Sequence, residues 1–300
     1  MSRTTKGVML SILTPVLWGI MSIPIRTLNE YGISSQDLAF FRCAVSGIGL
    51  FIFNLFVDRE VLRIDPKGFI VSTLYGCFSY GLSFTAYALA VERIPVAVAM
   101  VLMFLCPVWV SLLNRIIFKE KLGAVNTVSI IICLIGAVLV SNILSIKDVK
   151  LDMFGIVCAL INGFGAGLQL IIPRYFEGKY KKNTFVVYGF ICSALMLMFF
   201  TNFGVVNTAV AADPLRVTSN MILLSVVCTL IANYVFVIAS SYISSTLVSI
   251  LSALEVVVGS LVGILIYKET MNATQSFGAV IIVIGALLPN ILPMLKRSKR

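Results

Sequence analysis

Two ionisable residues lie far inside long apolar stretches of the sequence, and they are the first candidates for chemistry. Glu255 falls about ten residues into the apolar run 246–267, and Arg42 lies about a quarter of the way along the run 36–57. A charged side chain near the centre of a bilayer costs roughly 2.5 to 3.5 kcal/mol even on a lenient insertion scale, so both residues must face protein or water. Glu255 could carry a proton or bind a substrate amine, or it could be a neutral residue that joins two helices. Arg42 could neutralise a substrate carboxylate, satisfy helix-end carbonyl groups or extend towards an interface.

The remaining composition excludes most enzyme chemistry. The chain has no His and only 13 acidic residues, which removes His-dependent catalysis, His-ligated metals and His proton relays. The Asp residues all lie at the ends of apolar runs or between them, which disfavours a paired intramembrane aspartyl site. The seven Cys residues form no Cys-x-x-Cys pair and fall within apolar runs, as reduced packing residues do. We therefore predict no enzyme activity, no metal and no cofactor.

The elements that must position Glu255 and Arg42 are membrane-spanning helices. Hydrophobic residues make up 59% of the 300 residues and charged residues 12%, whereas soluble chains have about 25% charged residues. Apolar runs of about 20 residues predict an all-α integral membrane protein with ten spans. Spans 1 to 10 are residues 7–28, 36–57, 68–91, 95–117, 123–143, 152–173, 184–203, 218–240, 246–267 and 274–294. The longest connection, 204–217, is too short to form an extramembrane domain.

Basic residues are distributed unequally between the two sides of this predicted bundle. If the N-terminus is cytoplasmic, sixteen Lys and Arg residues lie in cytoplasmic segments and six in external connections. The six are Arg26, Arg93, Lys147, Lys150, Arg216 and Lys268. The positive-inside rule therefore predicts both termini in the cytoplasm. This distribution explains the net charge of +10 better than a nucleic-acid site, which would need one continuous basic patch.

The two halves of the chain match each other at a shift of 148 to 149 residues. Residues 7–13 align with 155–161, 23–26 with 171–174, 119–120 with 268–269, and 136–139 with 285–288. This match predicts two five-helix repeats, residues 1–146 and 147–300. Because five is odd, the second repeat enters the membrane from the opposite side. Inverted repeats of this kind are typical of transporters that work by alternating access.

Several short motifs occur in a characteristic order along the chain. They are Leu17-Trp18-Gly19, Phe41-Arg42, Pro107, Lys119-Glu120, Leu254-Glu255, Lys268-Glu269 and the segment 275–278. With these motifs the whole chain resembles the drug/metabolite transporter superfamily, in its EamA branch. The resemblance implies a central cavity lined mainly by spans 1, 3, 4, 6, 8 and 9, with spans 5 and 10 set aside, and substrates that are amino acids or related metabolites, often exported. Val256 stands where the family often has proline, which puts a kink in span 9 in doubt.

Other residues are predicted to shape helix ends, contacts and breaks. Glu120 and Glu269 occupy equivalent positions on opposite sides, each just before the next span, where acidic groups suit a helix N-terminus, so we interpret them as structural. Gly259 and Gly263 form a Gly-x-x-x-Gly pattern, which favours internal packing over dimerisation. The predicted hinge or helix-break residues are Pro15, Pro24, Pro107, Gly163, Gly165 and Gly167.

Polar and aromatic residues within the cavity-forming spans are candidates for lining a pocket with apolar walls and a few polar groups. They are Trp18, Ser22, Tyr80, Tyr87, Asn162, Gln169, Asn233, Tyr234 and Ser252. Taken singly, each more often makes a helix-packing contact. Trp18 and Tyr87 come closest to an interface.

Together these features favour a secondary transporter that moves a small metabolite across a cytoplasmic membrane. A single Arg at depth argues against a phosphate-rich substrate and favours a neutral or zwitterionic one. In the zwitterion interpretation Glu255 binds the amine and Arg42 the carboxylate, and a proton is a further partner if Glu255 is coupled. Uncoupled facilitation, efflux of hydrophobic or cationic drugs, and a non-transporting receptor or scaffold stay open as alternatives. We predict a monomer in the lipid bilayer and no nucleic-acid partner.

Overall fold

The computed structural model describes residues 3–143 and 152–298, with side chains except at positions 97 and 290–298. The predicted repeat boundary at residues 146 and 147, Lys147, Lys150 and the last two residues lie outside the described residues. Within the described ranges the regular structure is helical, apart from one isolated bridge between Glu177 and Tyr180.

The helices follow one another with short connections. The α-helices are α1 (Arg3–Gly19), α2 (Ser22–Glu30), α3 (Ser35–Val57), α4 (Pro66–Gly76), α5 (Ser83–Arg93), α6 (Val96–Met103), α7 (Cys106–Phe118), α8 (Ala124–Val140), α9 (Met153–Tyr175), α10 (Lys182–Leu197), α11 (Phe203–Ala212), α12 (Pro214–Ile222), α13 (Ala232–Ala239), α14 (Ser245–Ser252), α15 (Leu254–Tyr267) and α16 (Ala273–Ser298). Two π-helical segments, π1 (Cys77–Leu82) and π2 (Leu223–Ile231), join α4 to α5 and α12 to α13. Two 3₁₀ turns are Arg59–Leu62 and Met198–Phe200.

Eight helical segments of the described chain are long and apolar enough to cross a membrane. They correspond to the predicted spans 1 to 4 and 6 to 9. Spans 5 and 10 correspond to shorter apolar helices, Ala124–Val140 and Ala273–Pro289. These two pack against each other along their length, with Gly136 so close to the carbonyl oxygen of Gly278 that a Cβ atom there would lie 2.8 Å away. The chain is a multi-pass membrane protein.

Three predicted spans are broken near their middle. Span 1 breaks at residues 20–21, between α1 and α2, and span 4 breaks at residues 104–105, between α6 and α7. Pro24 and Pro107 lie in the first turns of α2 and α7, where the missing N–H of proline has no helical partner to lose. Pro15 lies inside α1, which continues through it.

Span 9 breaks at Ala253, although it has Val256 in place of the proline whose absence put a kink in doubt. The Ala253 N–H donates to the Ile250 carbonyl at 3.2 Å and the Val256 N–H to the Ala253 carbonyl at 3.3 Å, and such i to i−3 bonds are typical of a 3₁₀ turn. The hydroxyls of Ser249 and Ser252 donate to carbonyls three residues before them, at 2.8 and 2.7 Å. These side chains compete with the helical hydrogen bonds, which accounts for the break.

The two π segments occupy positions related by the sequence shift. Residues 77–82 correspond to 225–230, which lie within π2. A π segment widens one turn and is frequently found at functional sites. Neither segment was predicted, because nothing in the apolar sequence distinguishes it from an ordinary α-helix.

The connection 204–217, which was predicted to be too short for an extramembrane domain, is helical over most of its length. Residues Phe203–Ala212 form α11, capped by the Asn202 side chain, which accepts from the Val205 N–H. Val206 and Ala209 pack into a buried cluster with Leu28 and Leu38. The helix was missed because its ten residues are too few for a span and its buried face is narrow.

Polar contacts divide the loops into two groups. The basic end comprises residues 58–65, 119–123, 176–182 and 240–244, and the opposite end comprises 26–34, 93–95, 201–216 and 268–272. Lys181 pairs with Asp58 at 2.6 Å at the basic end, and Arg216 pairs with Glu30 at 3.1 Å at the opposite end. Each ion pair among the described residues joins segments that the sequence placed on the same side of the membrane.

Candidate functional site

The break in span 9 places Glu255 at the start of a half-helix. Glu255 is the second residue of α15, so the positive end of the helix dipole adjoins its carboxylate. The side chain is half-buried. In the described part of the chain, no hydrogen bond and no ion pair within 4.0 Å reaches this carboxylate. It interacts electrostatically with Arg42, Tyr87 and Cys106.

The break in span 4 places Cys106 at the equivalent position of the other repeat. Cys106 begins α7, and the shift of 149 residues relates it to Glu255. It is 7% exposed and adjoins Val110 and Phe236 in a buried cluster. The two half-helices therefore direct their N-termini towards one central region, with a thiol on one and a carboxylate on the other.

Arg42 extends from α3 into the same region. Its Nε atom donates to Oγ1 of Thr229 at 2.9 Å, and its guanidinium carbon lies 4.3 Å from the ring centre of Phe84. A guanidinium has five N–H donors, and among the described residues Arg42 uses only the one on Nε. The two terminal nitrogens are therefore free to bind a planar anion. Arg42 and Glu255 influence each other electrostatically without touching.

The π2 segment holds the hydroxyl that positions Arg42. The Thr229 hydroxyl donates to the Leu224 carbonyl five residues earlier at 2.8 Å, while its oxygen accepts from Arg42. Thr229 is fully buried. Its side chain is thus fixed on both sides, and it fixes the direction of the guanidinium.

Among the predicted lining residues, Tyr87 interacts electrostatically with Glu255. It is half-buried on α5. Trp18 packs against Phe236 with ring centres 5.0 Å apart, which joins α1 to α13. Tyr80 is fully buried in π1, where it stacks on Phe190 at 4.1 Å.

The polar candidates mostly bond to helix backbones. Asn162 donates to the Ser83 carbonyl at 2.9 Å, and Gln169 donates to the Ser79 carbonyl in π1 at 3.0 Å, so both join α9 to the neighbouring helix. Ser22, Asn233 and Ser252 donate to carbonyls three or four residues earlier within their own spans. Tyr234 is half-buried with its ring at 6.3 Å from that of Phe53.

Three residues of the central region were missed by sequence reasoning. Phe84 and Thr229 look like ordinary helix residues, and their roles depend on the direction of Arg42. Cys106 could have been found, because the repeat shift relates it directly to Glu255.

The glycines of α9 do not break that helix. A Cβ atom on Gly163 would lie 2.9 Å from the Met103 carbonyl oxygen, and one on Gly165 would lie 2.6 Å from Oγ of Ser83. A Cβ atom on Gly167 would make an ordinary contact at 3.4 Å. Gly163 and Gly165 thus permit α9 to approach α6 and α5 closely.

The predicted structural residues lie at the two ends and in one helix contact. Glu120 pairs with Arg174, whose hydrogen bond lowers the pKa of the Glu120 carboxyl. Glu269 pairs with Arg26 at 2.7 Å. Gly259 faces Gly19 of α1, and Gly263 faces the Glu269 carboxylate, so both contacts lie within the chain. Residues 3–143 and 152–298 contain no cluster of three His, Cys, Asp or Glu side chains that could hold a metal ion.

Comparison with known families finds one match that occurs twice. The profile of the EamA-like transporter family matches residues 5–142 and again residues 153–291. The two matched segments cover nearly all of the chain.

Individual relatives align along almost their whole length. An uncharacterized transporter of Archaeoglobus fulgidus is 25% identical, over 92% of this chain and 93% of the relative. A pseudopaline exporter of Pseudomonas aeruginosa is 22% identical, over 94% of this chain and 95% of the exporter. A protein of known crystal structure superposes with a TM-score of 0.77 at 16% identity, over 96% of this chain and 97% of that chain, which shows a common fold.

Proposed function

Since the chain belongs to the EamA-like transporter family, we propose that it is a secondary transporter of a small zwitterionic metabolite, an amino acid or a related compound. The observation that carries this proposal is the pair formed by Arg42 and Glu255. Both are half-buried within membrane-spanning helices, and both keep polar atoms that no described residue binds. Opposite charges with unused hydrogen-bonding groups suit a ligand that carries both charges.

The geometry assigns one end of the substrate to each residue. The two terminal nitrogens of Arg42 bind a carboxylate in a bidentate manner. The Glu255 carboxylate accepts from an ammonium group, and Phe84 and Tyr87 supply aromatic surface beside the charges. A phosphate-rich substrate would meet one cation only, so we exclude it from the proposal.

The mechanism that we propose is alternating access between two inverted five-helix repeats in a ten-helix bundle. The double family match supports it. So do the π segments, the half-helix starts at Cys106 and Glu255, and the left-handed Lys119 and Lys268, all of which recur at the repeat shift. Two bundles that are similar but inverted can open towards either side around a fixed midplane site.

We further propose that the chain lies in the cytoplasmic membrane with both termini inside and that it exports its substrate. The excess of basic residues at one end supports this orientation. The relative named as an exporter supports the direction.

The proposal is tested by measuring the thermal unfolding of the purified chain in the presence of candidate ligands. These are amino acids, their amides, decarboxylated amines, nucleosides and cationic drugs. A ligand at about 100 times its dissociation constant stabilises by roughly 2.7 kcal/mol. We expect a saturable shift for a zwitterion, lost in both Glu255→Gln and Arg42→Gln. Asp152→Asn is the matched control, because it removes an exposed carboxylate that pairs with Arg93, away from the central site, and should leave the shift in place.

The outcomes separate the alternatives. A shift with amines or cationic drugs that survives Arg42→Gln would replace the zwitterion by a cation and favour drug efflux. Counterflow in proteoliposomes of the ligand that shifts unfolding distinguishes a transporter from a receptor, which binds without flux. Loss of the pH dependence of counterflow in Glu255→Gln is the result expected of proton coupling, and an unchanged profile would assign uncoupled facilitation.

A further inference from the structure

We propose that two Arg–Glu ion pairs, here termed latches, control access to the central site from the two sides of the membrane. The basic-end latch is Arg174 with Glu120, and the opposite-end latch is Arg26 with Glu269. The proposal that the latches control access rests on the proposed transport function. The geometry of the two ion pairs and the experiment that tests them do not depend on the identity of the substrate.

The two latches are built from equivalent parts. The Arg174 guanidinium lies 4.3 Å from the ring centre of Phe118, and the Arg26 guanidinium lies 4.2 Å from that of Tyr267. The repeat shift relates the two arginines, the two acids and the two aromatic residues to one another. Each guanidinium is thus held between a carboxylate and a ring, and each pair joins one repeat to the other.

A constrained turn directs each acid back towards its arginine. Lys119 and Lys268, which precede the acids, have left-handed φ angles of 55° and 58°. Left-handed backbone is unfavourable for residues other than glycine and persists where its surroundings hold it. Here the following N–H groups hold it, because the Glu120 N–H donates to the Asn114 carbonyl at 3.3 Å and the Glu269 N–H to the Gly263 carbonyl at 3.1 Å.

Each latch holds the outer end of a half-helix whose inner end adjoins the central site. The α7 helix runs from Cys106 to the basic-end latch, and α15 runs from beside Glu255 to the opposite-end latch. A helix of 13 or 14 residues is about 20 Å long and moves as a rigid rod, so release of its outer end can move its inner end. The latches therefore connect each surface of the bundle with the charge pair.

One residue makes the two latches unequal. Asn114 at the basic end accepts from Arg174 at 2.9 Å and donates to Oγ1 of Thr246 on α14 at 3.1 Å, whereas its equivalent is Gly263, which has no side chain. Arg174 makes hydrogen bonds to both oxygens of Glu120, and its side chain is 24% exposed, against 48% for Arg26. Bidentate and less exposed pairs are the stronger ones.

A polar cavity lies beside the basic-end latch. It is a half-open cavity of about 270 Å³ next to Asn114 and Glu120, and it extends to Ser244 and Thr246. The bond between Asn114 and Thr246 lies in its wall. Both latches are closed in this structure. Because the opposite-end latch is the weaker of the two, we expect it to open more often.

Amide hydrogen exchange of the ligand-free full chain in lipid nanodiscs tests the proposal. In Glu120→Gln we expect exchange to rise about twofold or more around residues 114–123 and 244–246. We expect it to fall around residues 263–272, because opening at one end requires closure at the other. Glu269→Gln should give the reverse pattern, and Asn114→Ala should act like Glu120→Gln. The charge exchange Glu120→Arg with Arg174→Glu should restore the native pattern.

Asp152→Asn is the matched control. It breaks the exposed ion pair between Arg93 and Asp152 at 3.2 Å, which holds no half-helix end, and Asn keeps the N-cap of α9. It should change exchange locally and nowhere else.

Two results would contradict the proposal that the latches control access. One is faster exchange at the mutated end with no slowing at the other, which is what a merely structural ion pair gives. The other is no change in a folded variant. If the proposed substrate class is wrong, no zwitterion will raise the unfolding temperature. The opposite changes in hydrogen exchange at the two ends would still be seen, so the two failures can be told apart.

Discussion

An ionised Glu255 would be only partly compensated in the membrane. A helix N-terminus stabilises a nearby carboxylate by roughly 0.3 to 1 kcal/mol, and up to about 2 kcal/mol in a favourable buried geometry. That is less than the roughly 2.5 to 3.5 kcal/mol that an ionised group costs at mid-membrane. Arg42 stabilises the carboxylate further at a distance, and water or substrate must supply the remaining stabilisation. A site that is incompletely compensated without its ligand is suited to binding one.

The direction of the Arg42 guanidinium depends on one hydroxyl, so Thr229 is a positioning residue. We expect Thr229→Val to weaken binding of a zwitterion by about tenfold, equal to about 1.4 kcal/mol, and to leave binding of the decarboxylated amine nearly unchanged. Thr229→Ser keeps the hydroxyl and should restore the affinity. The check is ligand-induced thermal stabilisation for each pair of compounds. Equal losses for the zwitterion and its amine would show that Thr229 only supports the fold.

At the scale of the element, sequence reasoning located the helices well but did not predict the break at Ala253 or the two π segments. Apolar length predicted segments such as 36–57 within a residue of the observed α3, Ser35–Val57. The break at Ala253 could not be predicted from proline. It depends on serine hydroxyls that bond to the backbone only in the folded helix. Likewise, the sequence identified Glu255 and Arg42, but it could not show that a π segment presents Thr229 to Arg42.

The break at Ala253 predicts an unequal response to proline along α15. Val256→Pro falls in the first turn after the break and breaks one long hydrogen bond of 3.3 Å, so it should be tolerated. Val262→Pro falls in the helix interior and should cost about 3 kcal/mol or more. The two valines are matched in exposure, at 6% and 8%. Thermal unfolding of both variants is the measurement, and equal destabilisation would contradict a pre-existing break.

The N-cap of α4 predicts a pH dependence of stability. Asp65 accepts hydrogen bonds from Tyr180, from the Gly68 N–H at 2.7 Å and from Lys179 at 3.1 Å, and these lower its pKa from 3.8 to about 2. A lowered pKa stabilises the fold above pH 3.8, and this contribution is lost as the pH falls towards 2. Asp65→Asn keeps the cap but removes the charge, so its unfolding temperature should lie below that of the native chain at pH 7. The gap should narrow below pH 4, and a gap that does not depend on pH would assign the loss to the cap instead.

At the scale of the whole molecule, several contacts recur at the two ends of the bundle. Asp65 caps α4 at the basic end and meets Lys179, whereas Asp213 caps α12 at the opposite end and accepts from the Tyr31 hydroxyl at 3.0 Å. The repeat shift relates the two acids to each other and Lys179 to Tyr31. The sequence match at a shift of 148 to 149 residues predicted the correspondence between the two halves from a few motifs. It could not predict asymmetries such as Asn114 at the position equivalent to Gly263. The sequence alone does not show whether a residue that differs between the two halves contacts a partner.

The proposed orientation makes a specific prediction about which surface faces the cell exterior. Lys67 is exposed next to the basic end and Asn29 is exposed at the opposite end, so Lys67→Cys and Asn29→Cys report the two sides. With both termini in the cytoplasm, a membrane-impermeant maleimide should label Asn29→Cys in intact cells and should label Lys67→Cys only after permeabilisation. The native chain is the control, since its seven cysteines are buried or half-buried. Labelling of Lys67→Cys in intact cells would reverse the orientation, and with it the side from which the basic-end latch admits substrate.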